Sequence, residues 1–295
     1  MKRHCLYSIL ALAMGMILAG CGGGGGSDSS GSSGTISINI TDAKPMLPDG
    51  VQGVLITFDE VSVHKSGGGW TSLPLPDTTY KIDLLQFIDG KTTRLVPPVQ
   101  LESGKYTQVR IGVTSATLVT SSGDYPMIIP SGNLKTDKNF EFTVEGGGAV
   151  DLTVDFDLSQ SIVVTGNDTY QLKPVLHIVE TKEAAAIMGT INWATAAADG
   201  EQVTIIVTWD KYNDTTCQEP DPSDPSTDEV YTKILVQESD PSPFEIFWLS
   251  PGQGYFVQVL WGNQDNSESC LDPIYVEPAL LSPSAVYDLG ILDPS

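Results

Sequence analysis

Basic residues are scarce in this chain: 15 Lys and Arg stand against 37 Asp and Glu among 295 residues. Affinity for nucleic acid comes largely from Lys and Arg neutralising phosphates, so a polyanion of this kind is expected to repel it. The same balance opposes attraction to anionic lipid surfaces. Histidine numbers only three and cysteine four. There is no Cys-x-x-Cys, His-Glu-x-x-His or Gly-x-Ser-x-Gly, and no phosphate-binding glycine loop followed by Lys, so the common signatures of zinc, serine-hydrolase and nucleotide chemistry are missing. Long helices are missing too. No window offers a capped amphipathic helix of normal length, and "KIDLLQFIDG" at 81–90 supplies one or two turns at most.

What is present begins with Lys2 and Arg3, followed by the uncharged apolar run "LYSILALAMGMILAG". That run has the length of a signal peptide and falls short of the roughly 20 apolar residues of a membrane span. It closes on Leu18, Ala19, Gly20 and Cys21, where small residues expose the backbone and the cysteine offers a thiol. The stretch resembles the lipobox of bacterial lipoproteins. The resemblance implies a signal over 1–20, cleavage before Cys21, and lipid on the Cys21 thiol and the new amino terminus. Residue 22 is Gly and not Asp, which by resemblance to the enterobacterial sorting rule implies the outer membrane, with the protein facing the periplasm or the surface.

Residues 21–34 read as a tether. Positions 22–34 are almost entirely Gly and Ser, a composition that behaves as flexible coil. Without Lys2 and Arg3 the 15 basic residues become 13 against 37 acidic, a formal charge of −24. Cys5 leaves with the signal and Cys21 takes lipid, so Cys217 and Cys270 remain in an oxidising compartment and are expected to pair.

The rest of the chain reads as strand. "TISINI", "GVLITF", "YTQVRIGV", "FEFTV", "AVDLTVDF" and "YQLKPVLHIVE" alternate at period two and are punctuated by Gly, Pro, Asn and Asp. Val54, Ile56 and Phe58 share one face, whereas Val61 and Val63 fall out of phase across Asp59 and Glu60, which calls for a bulge. The loop "KSGGGWTSL" permits a tight reversal and places Trp70 over one end of the core. A polar, alanine-rich connector near "ETKEAAAIM" divides a β-rich domain over 35–182 from a second over 187–295. The fold class expected is all-β, with two antiparallel β-sandwich-type domains, the second of about seven strands.

Two stretches resemble known families. "SINITDAKP", "VSVHKSGGGW", "DLLQFIDG", the "LESGKYTQVRIGV" hairpin, "IPSG", "VDLTVDFDLSQSIV" and "YQLKPVL" together resemble a lipoprotein-borne bacterial domain of unknown function. That domain brings no catalytic residues to transfer. "GTINW" and "FWLSPGQGYFVQVLW" resemble the carboxypeptidase-regulatory or transthyretin-like sandwich, with Gln253 and Gly254 lengthening its turn. This second likeness implies a fold and no activity.

The densest chemistry lies in "VDLTVDFDLS". Alternation puts Asp151, Asp155 and Asp157 on one strand face and Leu152, Val154, Phe156 and Leu158 on the other. Oxygen-rich clusters suit calcium, with Asp42 of "NITDAKP" as a further ligand; the alternative is a solvated face of an acidic protein. Successive same-face residues stand about 6.6–6.8 Å apart, so one ion needs loop ligands to gather all three. His177 alternates with Val175 and Val179 and reads, like His64, as a packed or edge histidine. "QEPDPSDPSTDE" at 218–229 reads as an exposed loop, and Trp193, Trp209 and Trp261 as core or as a binding surface.

These features favour a non-enzymatic, lipid-anchored envelope protein that binds or organises a protein or glycan partner. The alternatives are a structural spacer in a surface complex and, from a different class, a hydrolase working through a carboxylate pair.

Overall fold

A computed structural model of the chain describes residues 32–43, 45–48, 50–130, 133–135, 140–166, 169–192, 202–209, 230–236, 241–262 and 269–293. The signal, Cys21, Cys217, Trp193 and the loop at 218–229 lie outside them, as does the side chain of Trp209. The described fold is all-β. Its first part runs β1 (Ser33–Thr41), β2 (Val51–Lys65), β3 (Trp70–Leu73), β4 (Tyr80–Asp83), β5 (Thr93–Glu102), β6 (Gly104–Thr120) and β7 (Gly123–Pro126). It continues with β8 (Asn133–Lys135), β9 (Phe142–Val144), β10 (Ala149–Asp157), the single-turn α1 (Leu158–Ser161), β11 (Ile162–Gly166), β12 (Thr169–Leu172) and β13 (Val175–Glu180).

One sheet has the order β13-β10-β1-β5, and a larger one is built on β3-β2-β6-β7, with β4, β8 and β9 pairing to β2 or β6. Ile36, Ile38 and Ile40 of β1 and Leu152, Val154 and Phe156 of β10 turn inward and are fully buried. Each such side chain contributes about 1.5–3 kcal/mol by leaving water. Their alternates, Ser37, Asn39, Thr41, Asp151, Asp155 and Asp157, occupy the opposite face of the same sheet. Pro97 and Pro98 fit β5 because it is an edge strand, where a missing N–H breaks no ladder.

The bulge is where the hydrophobic phase requires it. Phe58 pairs with Val113 and Glu60 with Gly112, so Asp59 is the extra residue on β2. Val54, Ile56, Phe58, Val61 and Val63 all reach the core with no exposure. Three expectations need correction. The stretch "LESGKYTQVRIGV" is no hairpin: β5 pairs with β1 and β6 with β2, so the turn at Ser103 and Gly104 carries the chain between two sheets. Gly104 has φ +146°, a conformation that a side chain resists. Residues 33 and 34 belong to β1 and not to a tether, and a Cβ on Gly34 would collide with the Glu145 carbonyl oxygen. Trp70 covers no core end. It lies half-buried across from His64, 5.1 Å between ring centroids, with the Arg110 guanidinium 3.9 Å from its own ring.

The second part comprises β14 (Ala185–Ile191), β15 (Gln202–Trp209), β16 (Val230–Val236), β17 (Ser242–Leu249), β18 (Tyr255–Gly262), β19 (Ser269–Cys270), β20 (Ile274–Val276) and β21 (Val286–Leu292). A three-stranded sheet β17-β14-β21 accompanies a five-stranded sheet β16-β15-β18-β19 in which β20 also pairs with β18. A second apolar cluster, including Ile187, Val203, Ile205, Tyr231, Val257 and Val259, fills this part. Trp261, half-buried, packs against it. The pairing is not wholly antiparallel: β1 with β10 and β14 with β21 run parallel. Parallel neighbours need long crossovers, and in both cases the intervening chain forms the other strands of its own part. Residues 32–295 form one compact unit.

Deleting Asp59 removes the bulge and turns Val61 and Val63 outward. The variant is expected to lose cooperative thermal unfolding by circular dichroism, and a melt like that of the intact chain would contradict this account of β2.

Candidate functional site

The polar face of the sheet β13-β10-β1-β5 divides into two ends with different chemistry. At the first end the Asp151 carboxylate accepts Ser37 Oγ at 2.6 Å, Asn39 Nδ2 at 3.1 Å and Arg94 Nη1 at 2.6 Å. Asp151 is thus consumed by an ion pair that is partly open to solvent. At the second end Asp155 and Asp157 are buried to 2% and 1% exposure, and Asp42, just past β1, joins them at 1%. The three sequence-predicted aspartates therefore separate, one from two, and the third member of the buried group is Asp42. Calcium held by Asp151, Asp155 and Asp157 together is not what this geometry offers. Among the described residues no group of three or more His, Cys, Asp and Glu is arranged to hold a metal ion. Nor is the second end a solvated face.

The buried end is built by local rules. Asp157 caps α1, its Oδ1 accepting Gln160 N at 3.0 Å and its Oδ2 accepting Gln160 Nε2 at 2.8 Å, the usual use of Asp where helical N–H groups lack partners. Asp42 Oδ1 accepts Leu158 N at 3.0 Å, and Asp155 Oδ1 accepts Ala43 N at 3.1 Å. Asp42 Oδ2 is buried without a hydrogen-bond partner. Thr41 anchors the strand end: its hydroxyl lies 2.9 Å from the Phe87 carbonyl and 2.7 Å from that of Lys91, which share its single proton.

The cover over these acids comes from the second part of the chain. Tyr231 of β16 stacks on His177 of β13 at 4.1 Å, and its hydroxyl donates to the Trp248 carbonyl at 3.0 Å. Gln160 Nε2 also donates to the Tyr231 carbonyl, and Ser159 Oγ donates to that of Lys233 at 3.1 Å. Thr204 Oγ1 donates to the Met46 sulfur at 3.4 Å. The aspartate face is therefore a seam between the two apolar cores. Alongside it runs a shallow cleft with a cavity volume of about 20 Å³, lined among others by Asp42, Asp155, Asp89, Glu245 and Trp248. Asp89 and Trp248 hold left-handed backbone, φ 56° and 62°, which costs each of them of order 1 kcal/mol or more.

Electrostatics follow from the burial. Desolvation raises the Asp42 carboxyl well above the ordinary value, and the neighbouring Asp155 and Asp157 raise it further against the pull of the Leu158 N–H. Burial and Asp157 do the same to Asp155. Asp157 is raised less because Gln160 and His177 favour its charged form. Burial also pushes the Tyr231 phenol well up. This corner holds neutral carboxylic acids more readily than carboxylates.

The family comparison concerns the part that carries the acids. Residues 33–174 match the family model of a domain of unknown function, DUF4382. Asp42, Asp155 and Asp157 fall inside the DUF4382 stretch; His177, Tyr231 and Trp248 fall outside it. No curated protein matches the sequence. Among solved structures the chain is similar to a gamma-CGTase from alkalophilic Bacillus clarkii, at 8% identity and TM-score 0.27, covering 78% of this chain and 34% of that one. The chain thus spans about a third of that enzyme's length. It is similar also to a protein described as a cell adhesion protein from Parabacteroides distasonis, at 12% identity, TM-score 0.22 and 83% of each chain. A third is the shaft pilin spaA from Lactobacillus rhamnosus GG, at 10% identity, TM-score 0.21, 90% of this chain and 99% of that. Likenesses this loose carry no functional argument. Among the described residues no helix is long and apolar enough to cross a membrane. Cys270 is disulfide-bonded, and its expected partner Cys217 lies outside the described residues.

Tyr231, Gln160 and Ser159 carry the seam, yet nothing in their local sequence distinguishes them. Only the outward phase of the acids and of His177 was there to be read. Replacing Tyr231 by Phe removes one hydrogen bond and is expected to cost about 0.5–1.5 kcal/mol. Tyr231→Ala removes the ring stack and leaves a hole, at about 3–5 kcal/mol. Denaturant unfolding of both variants measures the difference, and equal losses would place Tyr231 outside the seam's energetics.

Proposed function

We propose that the protein is a non-enzymatic, lipid-anchored component of the cell envelope. Cys21 carries the acyl chains, the glycine and serine run after it is the tether, and Cys217 closes the disulfide with Cys270. The β-rich parts, divided near 182–187, form one docked unit offered to a protein or glycan partner. The observation that carries the non-enzymatic reading is the state of the acids. Asp42 and Asp155 are 1% and 2% exposed, and the cleft beside them has a cavity volume of about 20 Å³, room for a water molecule and not for an organic substrate. Carboxyls so placed hold two parts of a protein together more readily than they reach a substrate.

Binding is favoured over a purely spacing role by the outer face of the sheet β17-β14-β21. Met188, Val286 and Ile291 stand 38%, 56% and 70% exposed there, on strands that pair with one another. The hydrolase reading keeps one supporting feature, since Asp89 and Glu245 also line the cleft and burial raises the Glu245 carboxyl.

The test is metabolic labelling with palmitate, followed by protease shaving of intact and lysed cells. The intact chain is expected to take up label and partition with membranes, and Cys21→Ser to lose both. Equal membrane association in Cys21→Ser would contradict the anchor. Digestion on intact cells directs the search to extracellular partners, and protection until lysis to periplasmic ones.

A further inference from the structure

The seam brings three carboxyl groups into one buried corner where none of the ion pairs of the described residues reaches them. Asp42 follows β1, Asp155 and Asp157 end β10, and the cover is the aromatic edge of β16 with Tyr255 of β18 behind it. The titratable groups facing the corner are His177 from β13, Tyr231 from β16, Tyr255 from β18, Glu245 from β17 and Asp89 from the turn after β4; β16 also meets it through the Lys233 backbone carbonyl. Of these only His177 contributes a charge that favours a carboxylate, and it acts on Asp157. Among the described residues Asp42 Oδ2 has no hydrogen-bond donor.

An ionised carboxylate buried without a partner costs several kcal/mol, far more than a neutral acid in the same place. Three such groups against one histidine leave a net negative charge between two apolar cores, which removal of water cannot support. Protons resolve this within the chain. A protonated acid is neutral and gains a donor, and Asp42 Oδ2 is the oxygen with no other use. We propose that the seam is a proton-operated latch: with Asp42 and Asp155 protonated the two β-rich parts stay docked, and release of those protons loosens them. The latch holds independently of whether the chain is lipid-anchored or what it binds.

The sign follows from linkage. In the unfolded or undocked chain these carboxyls titrate near the ordinary aspartate value, about 3.9. In the docked seam burial and mutual repulsion hold the protons to higher pH. The docked state therefore binds more protons, so docking is fully supported below about pH 4 and weakens as pH rises through the raised values. Each proton released across the transition weakens docking about tenfold per pH unit.

Nuclear Overhauser contact between the Tyr231 and His177 rings reads the seam, and contact between the Phe58 and Phe156 rings, 6.4 Å apart in the first core, reads the fold. In the mature chain under a metal chelator, the seam contact is expected to fade as pH rises above the ordinary aspartate value of about 3.9 and through the raised values of Asp42 and Asp155, while the core contact stays. Asp42→Asn with Asp155→Asn, the neutral mimics, is expected to keep the seam contact throughout; if that pair does not fold, Asp42→Asn alone is expected to displace the midpoint upward. A seam contact that persists in the unsubstituted chain until the core contact also disappears would overturn the latch. So would loss at the same pH in the asparagine variants, or calcium restoring contact at high pH, which would make a cation and not protons the neutralising species.

Discussion

Everything distinctive in this structure turns on Asp42, Asp155 and Asp157, carboxyl groups buried where none of the ion pairs of the described residues reaches them. A sheet with one apolar and one polar face is ordinary in an antiparallel or mixed β protein, because alternation delivers it automatically. Here half of the polar face is covered by other parts of the same chain. Ser37, Asn39, Asp151 and Arg94 satisfy one another at the open end. Asp155 and Asp157 lie near Tyr231 at the closed end, with Asp42 buried beside them. The two apolar clusters drive folding through burial of Ile, Val, Leu and Phe; the acid seam sets how the parts meet. Its hydrogen bonds contribute modestly, but an unmet charge there subtracts several kcal/mol, so protonation state decides the sign.

The same constraint bears on function. Raised carboxyl groups beside a cleft are a signature of acid-base catalysis, and the seam shares that signature. Accessibility separates the two readings. A catalytic acid must meet a substrate, whereas Asp42 and Asp155 are buried and accept backbone N–H groups of their own chain. Exposed apolar side chains lie instead on the sheet β17-β14-β21, where Val286 and Ile291 remain open.

Much of the fold was legible in residues. Period-two alternation locates β1, β2, β10 and β13, and the phase slip at Asp59 locates the bulge. It correctly set Asp151, Asp155 and Asp157 apart from Leu152, Val154 and Phe156. It could not say which polar residues remain wet, since that depends on Tyr231, more than seventy positions later in sequence. Nor could it distinguish the turn at Ser103 and Gly104 from a hairpin, because a change of sheet and a reversal within one use the same turn residues. Trp70 was misplaced for a related reason: a large ring suggests a core, but Arg110 and His64 give it an outer-face setting.

The most direct test of the account is a carboxyl-carbon NMR titration of the mature chain, with Asp42→Asn, Asp155→Asn and Asp157→Asn spectra for assignment. The account predicts that Asp42 and Asp155 titrate well above the other aspartates, with Asp157 between. Three resonances titrating with the rest, near the ordinary value of about 4, would contradict it.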